Sequence, residues 1–138
     1  PFVSPTAGPG ALQPVPGAVL RAELDLTHWL TLGYGDPGLP VLAEGDDFLT
    51  LSPTGSNPVV FPAGLPGEEL VVSGFAWPGN TARLLGGAAH AVAERSGDGQ
   101  VVLFASDPNF RLVWRATGRL FANAVLLGPS LGAEREGY

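Results

Sequence analysis

Apolar and polar residues alternate from Leu20 to Asp25, with Leu20, Ala22 and Leu24 interleaved by Arg21, Glu23 and Asp25. A period of two places each set on its own side of an extended chain, so this segment predicts a half-buried strand. Short apolar runs at residues 39–43, 48–51, 57–61 and 69–75 predict further strands. Turn clusters separate them: Asp36-Pro37-Gly38, Ser52-Pro53-Thr54-Gly55 and Pro66-Gly67. The clearest hairpin joins residues 88–95 to 100–105 through Ser96-Gly97-Asp98-Gly99, where Gly and Asp supply the backbone angles of a tight connection.

Two segments have helical spacing. Asn80 is placed to cap a short helix running to Leu85, ended by Gly86-Gly87. A longer helix is predicted over residues 113–127, where Val113, Thr117, Leu120, Phe121, Ala124 and Leu127 share one stripe and Gly128-Pro129 follow as a stop. Asp107-Pro108 ahead of it read as a cap and first-turn proline of a separate turn. The pattern as a whole predicts an α+β domain over residues 18–130. Its sheet is mixed, mostly antiparallel and built of short strands, with one C-terminal helix packed on it.

The flanks differ. Residues 1–17 hold Pro1, Pro5, Pro9, Pro14 and Pro16 with Gly8, Gly10 and Gly17, and read as an extended arm or linker. Phe2, Val3, Leu12 and Val15 would let such an arm dock on a neighbour. Residues 131–138 are polar and read as a loose tail. No internal repeat is visible.

Composition narrows the function classes. Of 138 residues, 45% are hydrophobic and only 14% charged, enough apolar area to offset chain entropy and too few charges to hydrate the surface strongly. A surface of that kind is covered by other protein, so self-association or attachment to a larger chain is expected. The net charge is −6, and all seven basic residues are arginines without a basic stripe, which argues against nucleic acid as a partner. No apolar run approaches the roughly 20 residues of a membrane span. The absence of cysteine removes disulfides, thiolate nucleophiles and thiolate zinc sites. The chain opens on Pro1 with neither Met nor an export signal, as expected of a processed secreted protein or a piece of a longer one.

Candidate chemistry is sparse. A carboxypeptidase-type zinc site takes ligands from His-x-x-Glu, but Thr31 follows His28 by three residues and Ala93 follows His90. His90 alternates with apolar residues and is expected to be a hydrogen-bonded structural histidine; His28 is expected to pack in a turn. Ser73, His90 and Asp107 could compose a hydrolase trio, yet Ser73 lacks the nucleophile-elbow spacing. Gly33-Tyr34-Gly35-Asp36-Pro37-Gly38 matches G-x-G-x-x-G in letters but leads into an extended segment, so it reads as a turn rather than a dinucleotide site. Glu44-Gly45-Asp46-Asp47 is the densest acidic cluster; it reads as a solvated loop, with calcium as the alternative. Trp29, Tyr34 and Trp77 are the candidate interaction surface, Trp77 the one expected to be exposed. Trp114 is expected in the core. No residue is assigned to catalysis, cofactor or metal, and no cofactor is expected.

One stretch resembles a known family. Val101-Val102-Leu103-Phe104-Ala105-Ser106-Asp107-Pro108-Asn109-Phe110-Arg111 is followed by Trp114-Arg115-Ala116-Thr117 and Leu120-Phe121-Ala122-Asn123-Ala124. It is similar to the C-terminal end of bacterial secreted carboxypeptidase A-like zinc peptidases, which carry a domain like class I glutamine amidotransferases after the peptidase. Val15-Pro16-Gly17, Thr27-His28-Trp29-Leu30 and Gly74-Phe75-Ala76-Trp77-Pro78-Gly79-Asn80 fit the same linear order, so the likeness spans residues 15–130. It implies an accessory domain in the extracellular or periplasmic space. None of the peptidase's zinc ligands maps here, and the amidotransferase thiolate has no counterpart. Asp107 and Arg111, four apart at the turn before the helix, are expected to build the fold, the arginine bridging back to the carboxylate or to the strand end. The expected function is a non-catalytic structural or interaction domain, homo-oligomeric or held by a larger parent chain. The alternatives are a carbohydrate- or peptide-binding module, or an inactive fragment of a zinc carboxypeptidase whose catalytic domain lies upstream.

Overall fold

The computed structural model describes residues 2–3 and 13–131. Strand β2 (Val15–Leu24) is its spine. Leu20, Ala22 and Leu24 are buried while Arg21 and Glu23 are exposed, so the alternation in the sequence is the alternation of the two sheet faces. On one edge β2 pairs with β3 (Gly38–Gly45), setting Leu20 opposite Val41 and Ala22 opposite Leu39. On the other edge it pairs with β5 (Ser56–Val60) near its end and with β6 (Val71–Phe75) further back. From β5 the sheet continues to β7 (Ala89–Ser96) and then β8 (Gly99–Phe104). Two short strands, β4 (Phe48–Leu49) and β1 (Phe2–Val3), extend it beside β7. Every pairing among the described residues is antiparallel, which corrects the expectation of a mixed sheet. The tight hairpin dictates this for β7 and β8, whereas β2 with β5 and β6, and β5 with β7, meet across long stretches of chain, where packing sets the direction.

The sheet curls, and helix α3 (Arg115–Leu131) packs against the 3-10 turn Trp29–Thr31 and against β3 and β8. Leu120 is fully buried in the main core with Leu30, Val59, Phe61 and Leu85. Burying each such side chain contributes about 1.5–3 kcal/mol. Polar contacts fix the helix. Asn123 Nδ2 donates to the carbonyls of Leu30 (2.8 Å) and Leu32 (2.9 Å), and the Tyr34 hydroxyl donates to Ala116 O (2.7 Å). The fold is therefore α+β, an antiparallel curled sheet with a C-terminal helix.

Several boundaries differ from the sequence reading. Val15 to Gly17 of the expected arm are part of β2 and Phe2 and Val3 form β1, while residues 1 and 4–12 of it lie outside the described residues, as does the tail beyond Leu131. Glu69 falls in the helical turn α1 (Gly67–Leu70), not in β6. Asn80 does not cap; it lies inside a π-helical turn, Pro78–Ala82, that runs into α2 (Arg83–Leu85), and its Oδ1 accepts from Gln13 N at 2.8 Å. The hairpin is tighter than expected, with Ser96 paired to Gly99 and Gly97 at φ +60° taking the position that needs positive φ.

Helix α3 begins two residues late because Arg111 (φ 49°) and Leu112 (φ 57°) are left-handed and break the helical path. It also runs through Gly128 and Pro129. The Trp29 ring lies 3.7 Å, an ordinary van der Waals distance, from where a Cβ on Gly128 would stand, so the helix end packs over the indole and that tertiary contact overrides the stop signal. Val113 and Phe121, placed on the inward stripe by the sequence, are exposed.

Leu120→Ala should lower unfolding free energy by about 2–5 kcal/mol, and Asn123→Ala by about 1–3 kcal/mol because two carbonyls lose their donor. Leu126→Ala, on the outer side, should stay within about 0.5 kcal/mol. Urea midpoints of the three variants check the ranking.

Candidate functional site

The site begins at the open edge of β3. Pro40 and Leu42 are two apart, so their carbonyls leave the strand on the same side. They are met by side chains instead of a further strand: Ser106 Oγ donates to Leu42 O at 2.7 Å and Trp114 Nε1 to Pro40 O at 3.3 Å. The segment that follows β8 is thereby laid along β3. Asp107 opens the turn by accepting from Asn109 N at 2.8 Å, and Thr117 Oγ1 donates to Pro108 O at 2.8 Å. Asp107 and Arg111 are not joined; the Arg111 guanidinium lies 5.0 Å over the Phe110 ring, turned there by its left-handed backbone.

A cleft of about 680 Å³ opens between this segment and the end of β3. Leu42, Phe104, Pro108 and Phe110 make its apolar wall, and Glu44 and Asp47 at the end of β3 and Asp107 from the turn after β8 bring carboxylates from two separate segments. Gly45, at φ +85°, turns the chain between the first two. No group of three or more His, Asp or Glu side chains able to hold a metal ion occurs among the described residues. What the cleft offers is an acidic rim over an aromatic floor. The sequence placed Glu44 and Asp47 in one acidic loop but carried no signal that Asp107 would face them.

The aromatic candidates do not share a surface. Trp29 is half-buried in the 3-10 turn, under Gly128 of α3 and tilted against His28 at 5.3 Å. Tyr34 is half-buried too, with the Arg119 guanidinium 5.9 Å over its ring, and burial pushes its hydroxyl pKa up. Trp77 sits beyond β6, where it is 43% exposed, stacks edge-on to Phe75 at 5.0 Å and donates its indole N–H to Pro14 O. Trp114 is half-buried at the cleft margin.

Both imidazoles are committed to the fold. His28 caps the 3-10 turn: its Nδ1 accepts from Leu30 N at 3.1 Å, so in the neutral ring Nε2 carries the proton and donates to Ser56 Oγ at 2.9 Å. Burial lowers its pKa, and the nearby Asp25 carboxylate works in the opposite direction. His90 corrects the expectation of a hydrogen-bonded residue. Both its ring nitrogens are buried with no hydrogen-bond partner, and the ring packs between Phe61 (6.2 Å) and Phe104 (6.3 Å). Desolvation takes its pKa down to about 4. Ser73 is exposed on β6, His90 is fully buried on β7 and Asp107 is held in its turn, so the trio is not assembled. Asp36 Oδ1 accepts from Gly38 N at 2.7 Å and leads straight into β3, which makes the glycine-rich loop a turn.

The class that fold and site define is a small α+β domain with a helix-closed antiparallel sheet and an acidic, aromatic-walled cleft. No family model, no curated protein and no solved structure matches the chain.

A neutral buried His90 ties stability to pH. Its folded pKa lies below the ordinary value of 6.5, so the unfolded chain binds the proton first. Stability should be intact above about pH 6.5 and fall by about 3 kcal/mol as pH drops to about 4. Denaturant titrations across this range should show the slope, and His90→Leu should remove most of it while stabilising the protein at low pH.

Proposed function

We propose that the chain is a non-catalytic interaction domain that works by holding protein surfaces, copies of itself first. The observation that carries this reading is the apolar surface left in solvent: Leu112 and Val113 are each 76% exposed and Leu126 is 73% exposed. Water-exposed aliphatic groups grouped around one helix favour association. Two further points support it. Neither imidazole is free to move protons at a surface, since His28 has both nitrogens bonded and His90 is enclosed. The family likeness of residues 101–124 favours an accessory domain that was attached to, or released from, a carboxypeptidase A-like zinc peptidase in the extracellular or periplasmic space.

Among the described residues no helix is long and apolar enough to cross a membrane. Light scattering should give a mass that rises with concentration, and a monomer throughout would sink the self-association reading. With zinc added, carboxypeptidase substrates should remain intact. Zinc-dependent turnover would defeat the non-catalytic reading.

The cleft favours a second reading, a peptide-binding module. Three carboxylates above Phe104 and Phe110 suit a segment with basic and aromatic side chains. Calorimetry should show an Arg/Phe-containing peptide binding more tightly than its Glu/Phe counterpart, with the difference shrinking in salt. Glu44→Gln with Asp47→Asn should abolish that preference; equal binding of both peptides would remove this reading.

A further inference from the structure

Helix α3 has a second face, turned away from the sheet. At about 100° per residue, Thr117, Leu120, Ala124 and Leu127 form the inner stripe, and Arg115, Gly118, Ala122, Val125, Leu126 and Pro129 fall on the outer side. Val125 is 57% exposed and Leu126 more so, and together they form a ridge near the C-terminal end. One helical turn before Ala122 the surface is notched: nothing lies within 4 Å of where a Cβ on Gly118 would stand.

The charges are at the wrong poles. Arg115 opens the helix, where the backbone dipole is already positive; the first turn holds no acidic residue and the last turn no basic one. Arg119 is kept by its own chain, over Tyr34 and against Gly33. Arg115 therefore has an unfavourable field behind it, while the helix's own last turn supplies no basic side chain to its negative end.

We propose that a second copy of the chain covers this face, the two α3 helices packing antiparallel about a two-fold axis near Ala122. The inference rests on the self-association proposed above and names its surface. In this register Ala122 meets the second copy's Ala122, and Leu126 fills the space over the second copy's Gly118. Arg115 lies beside the second copy's last helical turn, whose negative pole favours a cation. Each contact occurs twice, as a two-fold interface requires. Ridge enters notch, the condition for close helix packing. A parallel pair would instead set Arg115 against Arg115 and Leu126 against Leu126.

A standard interface covers about 800 Å² on each partner. A helix of 17 residues is about 26 Å long and supplies part of that area. Leu112 and Val113, just ahead of it, are exposed apolar side chains as well. The pair is thus a reversible dimer rather than an obligate one.

Sedimentation equilibrium on the full chain tests the surface. Leu126→Glu and Gly118→Leu should each weaken dimerisation by about tenfold or more. Thermal melting of the diluted monomer guards against misfolding, and Gly118→Leu should not lower it, because leucine is the better helix former. The chain has no cysteine, so single cysteines report geometry cleanly. Ala122→Cys should form a disulfide dimer on oxidation. Arg115→Cys mixed with Pro129→Cys should be joined by a short bismaleimide, whereas Arg115→Cys alone should not.

Dimerisation unchanged by Leu126→Glu and Gly118→Leu would overturn this surface while leaving self-association standing. A chain that stays monomeric at every concentration, including one whose α3 face is covered by the rest of a larger parent, would overturn both. Cross-linking of Arg115→Cys to itself would overturn the antiparallel arrangement.

Discussion

An antiparallel sheet that stops at β3 leaves outward-facing carbonyls, and the molecule is arranged around meeting them. Pro40 has no N–H to offer a neighbouring strand, so β3 cannot be extended like an ordinary edge. Side chains complete it instead: Ser106 and Trp114 donate to the carbonyls of Leu42 and Pro40. Once that segment is laid along β3, the helix behind it has only one place to go. Leu120 enters the core, and Asn123 and Tyr34 tie the helix to the loop between β2 and β3. Edge protection and helix docking are one event. Blunting an edge this way also guards against unwanted strand pairing.

The polar investments inside this body hold backbone together. His28 and Ser56 connect the 3-10 turn to β5, while Ser52 Oγ donates to the Glu94 carboxylate and so joins the loop before β5 to β7. Thr31 Oγ1 bonds back to the carbonyls of Asp25 and His28, closing the turn after β2. Among the described residues two side chains depart from this, Gln100 with a buried Oε1 that has no partner and His90, a polar ring carried between two phenylalanines with neither nitrogen bonded. An unpaired buried imidazole costs stability that a leucine there would not. Its neutral state at ordinary pH keeps that cost from becoming the far larger one of a buried charge.

Two surfaces among the described residues contrast in character: the cleft at the end of β3 and the outer side of α3. They differ in chemistry, acidic over aromatic in one, aliphatic with a single arginine at its head in the other. The strained residues Arg111 and Leu112 separate them in the chain and turn it from the cleft into the helix. Left-handed backbone at two successive non-glycine residues persists only where surrounding contacts hold it. Here those contacts are the Phe110–Arg111 stacking and the bonds at either end of the segment.

Local rules made much of the fold legible. The alternation around Leu20 specified β2 and its buried side, Ser96-Gly97-Asp98-Gly99 marked the β7–β8 hairpin, and the spacing of Thr117, Leu120 and Ala124 marked the helix and its inner stripe. Those features depend on neighbours within a few residues, and sequence carries such information directly. The β2 boundary at Val15, the persistence of α3 past Pro129, the solitary state of His90 and the meeting of Asp107 with Glu44 and Asp47 were decided elsewhere. Each depends on a group on another element, such as Gly45 opposite Val15, Trp29 beneath Gly128, or Phe61 and Phe104 around His90. Phe61 follows β5 and Phe104 ends β8, on either side of β7, which periodicity on one strand cannot report. The sequence determined which elements form; only packing decided where they end and which side chains face one another.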